Sequence, residues 1–254
     1  MRDPSSILIT GASSGIGEAL ARRYARAGRR LFLGGRDAAR LEAVADACRA
    51  AGAKVSCQVQ DVTDGGAMAA WVAACDSEAP LELAIANAGV SAGTGGLDGE
   101  TEEQARRIYA VNLDGVMNTL FPALARMRAR RRGQIAVMSS LAAFRGFPGA
   151  PAYCGSKAAV RVWGESLRPT LAREGIGVTV ICPGFVESRM TAVNDFPMPL
   201  LMSSEKAAGI VEKGLARNQA RIAFPLRLYA AVWLLNALPP GWTDRAMGGL
   251  PKKS

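Results

Sequence analysis

Ser6–Gly17 reads SILITGASSGIG. Ser6 to Thr10 is a short apolar run suited to a buried parallel strand. A glycine-rich turn follows at once, and an amphipathic helical pattern runs on to about Ala27. Strand, glycine turn and helix in that order are the context in which a glycine motif points to a dinucleotide. Gly11 permits a tight turn, Gly15 lets the backbone approach a pyrophosphate, and Gly17 lets the helix pack closely on the sheet. The helix start offers free N–H groups and a positive dipole end to phosphates. Gly11, Ser13, Ser14, Gly15, Ile16 and Gly17 are therefore candidate cofactor-binding residues. Their spacing is GxxxGxG rather than GxGxxG.

The next strand, Leu31 to Gly34, ends in GGRDAAR. An acidic residue near this strand end commonly holds the adenine ribose 2′-hydroxyl. Here Gly34 and Gly35 occupy the end and Arg36 follows. A guanidinium binds a 2′-phosphate bidentately, whereas a carboxylate repels it. This favours NADP(H) over NAD(H). Asp37 is expected to cap the helix Ala38 to Ala51.

Further strands are expected at Lys54 to Gln58, Leu83 to Ala86, Gln134 to Ser139, Gly177 to Ile181 and Arg221 to Ala223, alternating with helices. Alternating strands and helices imply a doubly wound α/β architecture. One long helix is expected from Thr101, with Glu102 and Glu103 in its first turn, to about Met127. Asn112 falls in its middle, where an asparagine needs a structural or functional hydrogen bond to hold it. Ser91 to Gly99 reads as a polar loop. Phe185 to Ser203, with Pro197 and Pro199, reads as a mobile segment over a substrate site.

The fifth strand delivers Ser140 at its carboxyl end, where open α/β sheets place ligands. Tyr153 follows thirteen residues later and Lys157 four after that. On a helix starting at Tyr153, positions i and i+4 share one face. An ammonium beside a phenol stabilises the phenolate, so the Tyr153 pKa is expected to fall below its usual value of about 10. Such a tyrosine exchanges a proton with a substrate oxygen.

The 254 residues, 49% hydrophobic and 21% charged, suit one α/β domain spanning 1–254, with a substrate-loop region and apolar tail over 185–254. The absence of histidine removes every Ser-His-Asp, Cys-His and His-metal mechanism, and no metal is expected. Five scattered cysteines without CxxC spacing fit a reducing, cytoplasmic setting. The net charge of +9 sits largely in arginines at Arg22 to Arg30 and Arg126 to Arg132, both at helix ends, where cations complement the dipole. No nucleic-acid motif accompanies it. The first residues show no signal-peptide pattern.

Phe224 to Trp242 is densely apolar, but its uninterrupted run, Leu228 to Leu235, is only eight residues. Spanning a bilayer takes about 20. Three readings stand for this tail: a helix over the substrate pocket, a subunit interface, or an interfacial membrane helix flanked by Arg227, Arg245, Lys252 and Lys253.

Thr10 to Gly17, Asn87-Ala88-Gly89, Asn112, Ser140, Tyr153, Lys157 and Pro183-Gly184, in this order and spacing, resemble the short-chain dehydrogenase/reductase family, in its short single-domain branch. The resemblance implies a Rossmann-type fold, a doubly wound parallel sheet of about seven strands with helices on both faces. It implies that Tyr153 is the general acid/base, that Lys157 lowers its pKa and holds the nicotinamide ribose, that Ser140 holds the substrate oxygen, and that Asn112 positions a water in a proton relay. It further implies that Asp61 and Val62 lie at the adenine and that Asn87 supports the central strands; the small residues of Asn87-Ala88-Gly89 let the cofactor's adenine side lie against the strand end, and Pro183, Gly184 and Val186 are further cofactor-binding candidates. The family's threonine after Pro-Gly has no clear match here; Ser188 stands near that position. The family often forms homodimers or homotetramers through the two long helices.

The expected activity is oxidation or reduction between an alcohol and a carbonyl with NADP(H). The loop residues Phe144, Phe147, Phe185, Met190 and Phe196 point to a hydrophobic small molecule. Two rival readings remain: an enzyme of lipidic substrates at the inner membrane face, and a cofactor-binding sensor or scaffold without turnover.

Overall fold

The computed structural model describes residues 3–91, 99–194 and 196–243. All five residues of SILIT are buried, as befits a strand covered on both faces. This strand, β1 (Ser6–Thr10), lies inside a seven-stranded sheet with β2 (Arg30–Gly35), β3 (Lys54–Val59), β4 (Leu83–Ala86), β5 (Gly133–Met138), β6 (Ile176–Pro183) and β7 (Arg221–Phe224). The order is β3-β2-β1-β4-β5-β6-β7 and every pairing is parallel. Strand order reverses between β1 and β4, and there the carboxyl ends open a crevice.

The helices are α1 (Gly15–Tyr24), α2 (Ala38–Ala50), α3 (Gly65–Glu78), α4 (Glu102–Tyr109), α5 (Gly115–Arg130), α6 (Pro151–Arg173), α7 (Arg189–Ala192), α8 (Ser204–Ala216) and α9 (Leu226–Ala237). Successive β1 side chains feed two cores, because strand residues alternate faces. Ile7 and Ile9 pack with Leu20 of α1, Leu41 of α2 and Val211 of α8. Leu8 packs on the other face with Met68 of α3, Leu120 of α5 and Val160 of α6.

The helix expected from Thr101 to Met127 is two helices. α4 opens on a capping box between Thr101 and Gln104, and a π-helical turn, Ala110–Asp114, separates it from α5. The expected Asp37 cap is present: its carboxylate accepts from the Arg40 N–H at 2.9 Å. Phe185 to Ser203 carries the short α7 and a parallel bridge between Val186 and Met202. Much of the expected 91–99 loop, and Arg245, Lys252 and Lys253, lie outside the described residues.

Most arginines of both clusters pair with carboxylates. Arg23 pairs with Glu212, Arg26 and Arg29 with Asp3, Arg128 with Glu174, Arg130 with Asp76, and Arg132 with Glu82. Such pairs at a surface contribute little stability but leave less bare positive charge. Among the described residues no acidic or cysteine cluster could hold a metal, and no helix is long and apolar enough to cross a membrane.

Candidate active site

The carboxyl ends of β1 and β4 are tied by one asparagine. Asn87 Nδ2 donates to the carbonyl oxygens of Thr10 and Gly11 at 3.0 and 3.1 Å. Thr10 Oγ1 accepts in return from the Asn87 and Ala88 N–H groups. Above this clamp lies a cavity of about 1030 Å³ running from the glycine turn to α9.

At one end the cavity is walled by the turn. Gly11 and Gly15 adopt φ of +66° and +57°, which only glycine takes up without strain. Ser14 precedes α1 without making a side-chain cap, so the N–H groups of the first turn stay available at the cavity wall. Gly17 is not on the wall. A Cβ there would stand 2.2 Å from the Gly11 oxygen, so its role is close packing behind the turn. Arg36 is exposed on the wall and makes no ion pair among the described residues. Arg40, one helical step beyond Asp37, joins it there and pairs with the Asp37 carboxylate at 2.9 Å. Asp61 and Val62 line the same end; hydrogen bonding from the Thr63 N–H holds the Asp61 carboxyl below its usual range.

In the middle, Asn87, Ala88, Gly89, Ser140, Tyr153, Lys157, Pro183, Gly184 and Val186 all reach the wall. Ser139 and Ser140 point differently. Ser139 Oγ donates to the Lys157 carbonyl at 2.8 Å and ties β5 to α6. Ser140 Oγ accepts from the Ala142 N–H at 3.1 Å and meets the Tyr153 phenol. Tyr153 sits in the first turn of α6, two residues inside a helix that starts at Pro151.

The lowered Tyr153 pKa expected from the spacing is not what the fold produces. Burial pushes the phenol up, opposed by the hydrogen bond with Ser140. Lys157 Nζ lies 5.9 Å from the Tyr153 ring centroid and donates to the Met138 carbonyl at 2.9 Å. Burial pulls the lysine itself down to about 8. Desolvation is the largest cause of both shifts.

Asn112 is wholly buried and lies behind the wall. Its Oδ1 accepts from the Val90 N–H at 2.8 Å, and its Nδ2 donates to the Val90 carbonyl at 2.9 Å and to Ser156 Oγ at 3.1 Å. It thereby joins the π-helical turn to the end of β4 and to α6. A Cβ at Gly89 would stand 3.2 Å from both Asn112 Oδ1 and Lys157 Nζ, so the lysine and the asparagine are neighbours across that glycine.

The far end is apolar. Phe147, Phe185, Met190 and Phe196 line it with Leu228, Val232 and Leu235 of α9. Of the three readings of the tail, the inner face of α9 matches a helix over the pocket. Its outer face leaves Leu226, Trp233 and Leu234 exposed. Ser188 caps α7 and sits against the glycine turn: a Cβ at Gly15 would be 3.0 Å from its Cβ. Arg40 and Trp71 are wall residues that the sequence did not mark. Arg40 had one signal, its three-residue spacing from Asp37.

The family model described as short chain dehydrogenase matches residues 5–196. An "Uncharacterized oxidoreductase" of Myxococcus xanthus is 42% identical over 240 residues, covering 94% of each chain. A short-chain dehydrogenase from Sphingobium yanoikuyae, solved in complex with NADPH, superposes with a TM-score of 0.81 at 26% identity over 98% of this chain and 97% of its own. A short chain dehydrogenase/reductase from Burkholderia phymatum, solved in complex with NAD, has the same fold, with a TM-score of 0.84 at 24% identity over 100% of this chain and 98% of its own. With the Myxococcus relative matched along nearly its whole length, the chain belongs to the short chain dehydrogenase family of oxidoreductases.

Proposed function

We propose that this protein is an NADP(H)-dependent oxidoreductase that reduces the carbonyl, or oxidises the alcohol, of an apolar small molecule. The observation that carries the reading is the meeting of Ser140, Tyr153 and Lys157 in one cavity with the glycine turn.

The residues fit a dinucleotide. Gly11, Ser13, Ser14, Gly15 and Ile16 suit a pyrophosphate, because side chains are absent where φ is positive and helix N–H groups are free. Arg36 and Arg40 suit a 2′-phosphate; of the carboxylates at this end, Asp37 is engaged by Arg40, and Asp61 accepts from the Thr63 N–H and hydroxyl. Asp61 and Val62 suit the adenine. Asn87, Ala88 and Gly89 suit the middle of the cofactor, with Tyr153 and Lys157 at the second ribose. Pro183, Gly184, Val186 and Ser188 suit the nicotinamide end. Similar structures have been solved with NADPH and with NAD, so the choice of NADP(H) rests on Arg36 and Arg40.

A nicotinamide held by these residues would supply or accept the hydride. In the reductive direction Tyr153 Oη gives its proton to the substrate oxygen as negative charge develops there. Burial keeps this phenol protonated in the resting site. Ser140 Oγ donates a second hydrogen bond to the same oxygen. The Lys157 ammonium steadies the phenolate left behind. Asn112 fixes the π-helical turn beside Lys157 and so sets the path by which a water returns the proton.

The apolar far wall selects the substrate. Exposed Phe121 and Val162, on α5 and α6, support a homodimer or homotetramer built on these helices. The five free thiols support a cytoplasmic setting. A second reading keeps the chemistry and moves it to a membrane surface. It is favoured by the outer face of α9, where Leu226 is 73% and Trp233 54% exposed. Co-sedimentation with anionic vesicles, lost in Trp233→Ser, separates the two.

The test of the main reading is NADPH oxidation with aldehydes and ketones of graded chain length, with NADH and Tyr153→Phe as controls. Turnover that rises with chain length, prefers NADPH and drops at least about 100-fold in the variant supports it. Bound NADPH without turnover on any of them points instead to a sensor or scaffold.

A further inference from the structure

Behind the apolar end of the cavity lies a polar cluster that the chemistry does not use. Phe144, four residues beyond Ser140, is buried. Two guanidinium groups lie over its ring, Arg161 at 4.6 Å and Arg221 at 5.1 Å from the centroid. Glu165 joins them, with Oε2 accepting from Arg161 at 3.1 Å and Oε1 from Arg221 Nε at 2.8 Å. Arg221 Nη1 then donates to the Tyr229 hydroxyl at 2.9 Å. The Tyr229 ring meets Phe144 edge-on, centroids 5.2 Å apart.

Tyr229 belongs to α9, whose Leu228, Val232 and Leu235 wall the cavity. Val232 is the one residue of this helix that is fully buried. The helix has no side-chain cap at its start. Among the described residues, Tyr229 is the one α9 side chain that hydrogen-bonds to the rest of the molecule. On the other side of the contact, Arg161 stands one helical turn beyond Lys157 on α6. The cluster therefore fastens a loosely held wall to the helix that carries Tyr153 and Lys157.

We infer that the Arg221–Tyr229 hydrogen bond, backed by Glu165 and Phe144, is the latch that seats α9 over the apolar end of the cavity. Tyr229 is thus a positioning residue for long apolar substrates and takes no part in the chemical step. The substrate half of this inference rests on the proposed reductase activity; the seating of the helix does not.

Tyr229→Phe keeps the ring on Phe144 and removes only the hydroxyl. Two readouts on the full chain test it. Hydrogen exchange of the α9 amides should speed up about fivefold, the loss of one net hydrogen bond, with α6 amides unchanged. The KM for decanal should rise about fivefold while that for propanal and the pH profile of kcat stay as in the parent protein. Arg221→Lys keeps a cation beside Glu165 but loses the donor to Tyr229. It should reproduce both effects, and the double variant should show no further loss. Unchanged α9 exchange, equal KM changes for both aldehydes, or additive effects would overturn the latch. If the parent protein reduces neither aldehyde, the reductase reading fails and the exchange experiment alone still decides the latch.

Discussion

Lys157 Nζ donates to the Met138 carbonyl at 2.9 Å, and its side chain is 3% exposed. A cation is thus held at the carboxyl end of β5 with a backbone oxygen as its hydrogen-bond partner. Burial lowers its pKa from 10.5 to about 8. Below pH 8 the folded chain carries the buried charge and bears the full penalty. Between pH 8 and 10.5 the unfolded chain binds a proton that the folded chain does not, so this residue's contribution to stability improves as pH rises. The stability of Lys157→Met relative to the parent protein should therefore be greater at pH 7 than above pH 10, by on the order of 3 kcal/mol, while activity is lost. That relative stability should fall as pH approaches 10. Thermal melts across this range check it, and a gap independent of pH would refute the assignment.

Arg36 is free to meet an anion, whereas Arg40 already answers Asp37. Arg36→Ala should weaken NADPH about tenfold or more, the usual worth of a charge-assisted hydrogen bond, and change NADH by no more than about twofold. Asp37→Asn keeps a side chain able to cap α2 while freeing Arg40, so it should tighten NADPH. Titration of cofactor fluorescence reads both. Equal losses for the two cofactors would remove Arg36 from the phosphate site.

What the sequence made legible follows the range of each interaction. The β1–turn–α1 unit rests on neighbouring residues, so the apolar run and the glycines announced it. The same holds for Asp37, whose cap reaches three residues along the chain. The break of the long helix at Ala110–Asp114 carries Asn112, which pairs with Val90, 22 residues earlier, and no local period reports that contact. The i,i+4 spacing of Tyr153 and Lys157 pointed to one shared helix face, and both residues line the cavity. It could not show how deeply they sit, and depth sets both of their pKa shifts. The cover provided by α9 was open for the same reason, since an apolar helix does not say which surface receives it.

Asn112 is predicted to matter to the fold before it matters to catalysis. Asn112→Ala strips the half-buried Val90 N–H and carbonyl of their partners, which costs about 2–4 kcal/mol. Asn112→Asp retains the acceptor for the Val90 N–H but loses both donors, and should be at least as damaging because it buries a charge. Urea unfolding measures both. A variant of unchanged stability but reduced turnover would assign Asn112 to the relay alone.

Gly17 and Gly146 provide a matched pair for the glycine turn. At Gly17 an added Cβ would stand 2.2 Å from the Gly11 oxygen and 2.5 Å from Asn87 Nδ2, so it would push apart the turn and the clamp that joins β1 to β4. These neighbours are backbone and a side chain held by two hydrogen bonds, and neither can yield cheaply. At Gly146 an added Cβ meets nothing within 4 Å. Gly17→Ala should cost about 3 kcal/mol or more and abolish cofactor binding. Gly146→Ala should stay within about 0.5 kcal/mol of the parent protein and bind normally. Chemical denaturation and cofactor titration on the two variants decide it. If Gly17→Ala binds NADPH like the parent protein, close packing behind the turn is not what that glycine provides.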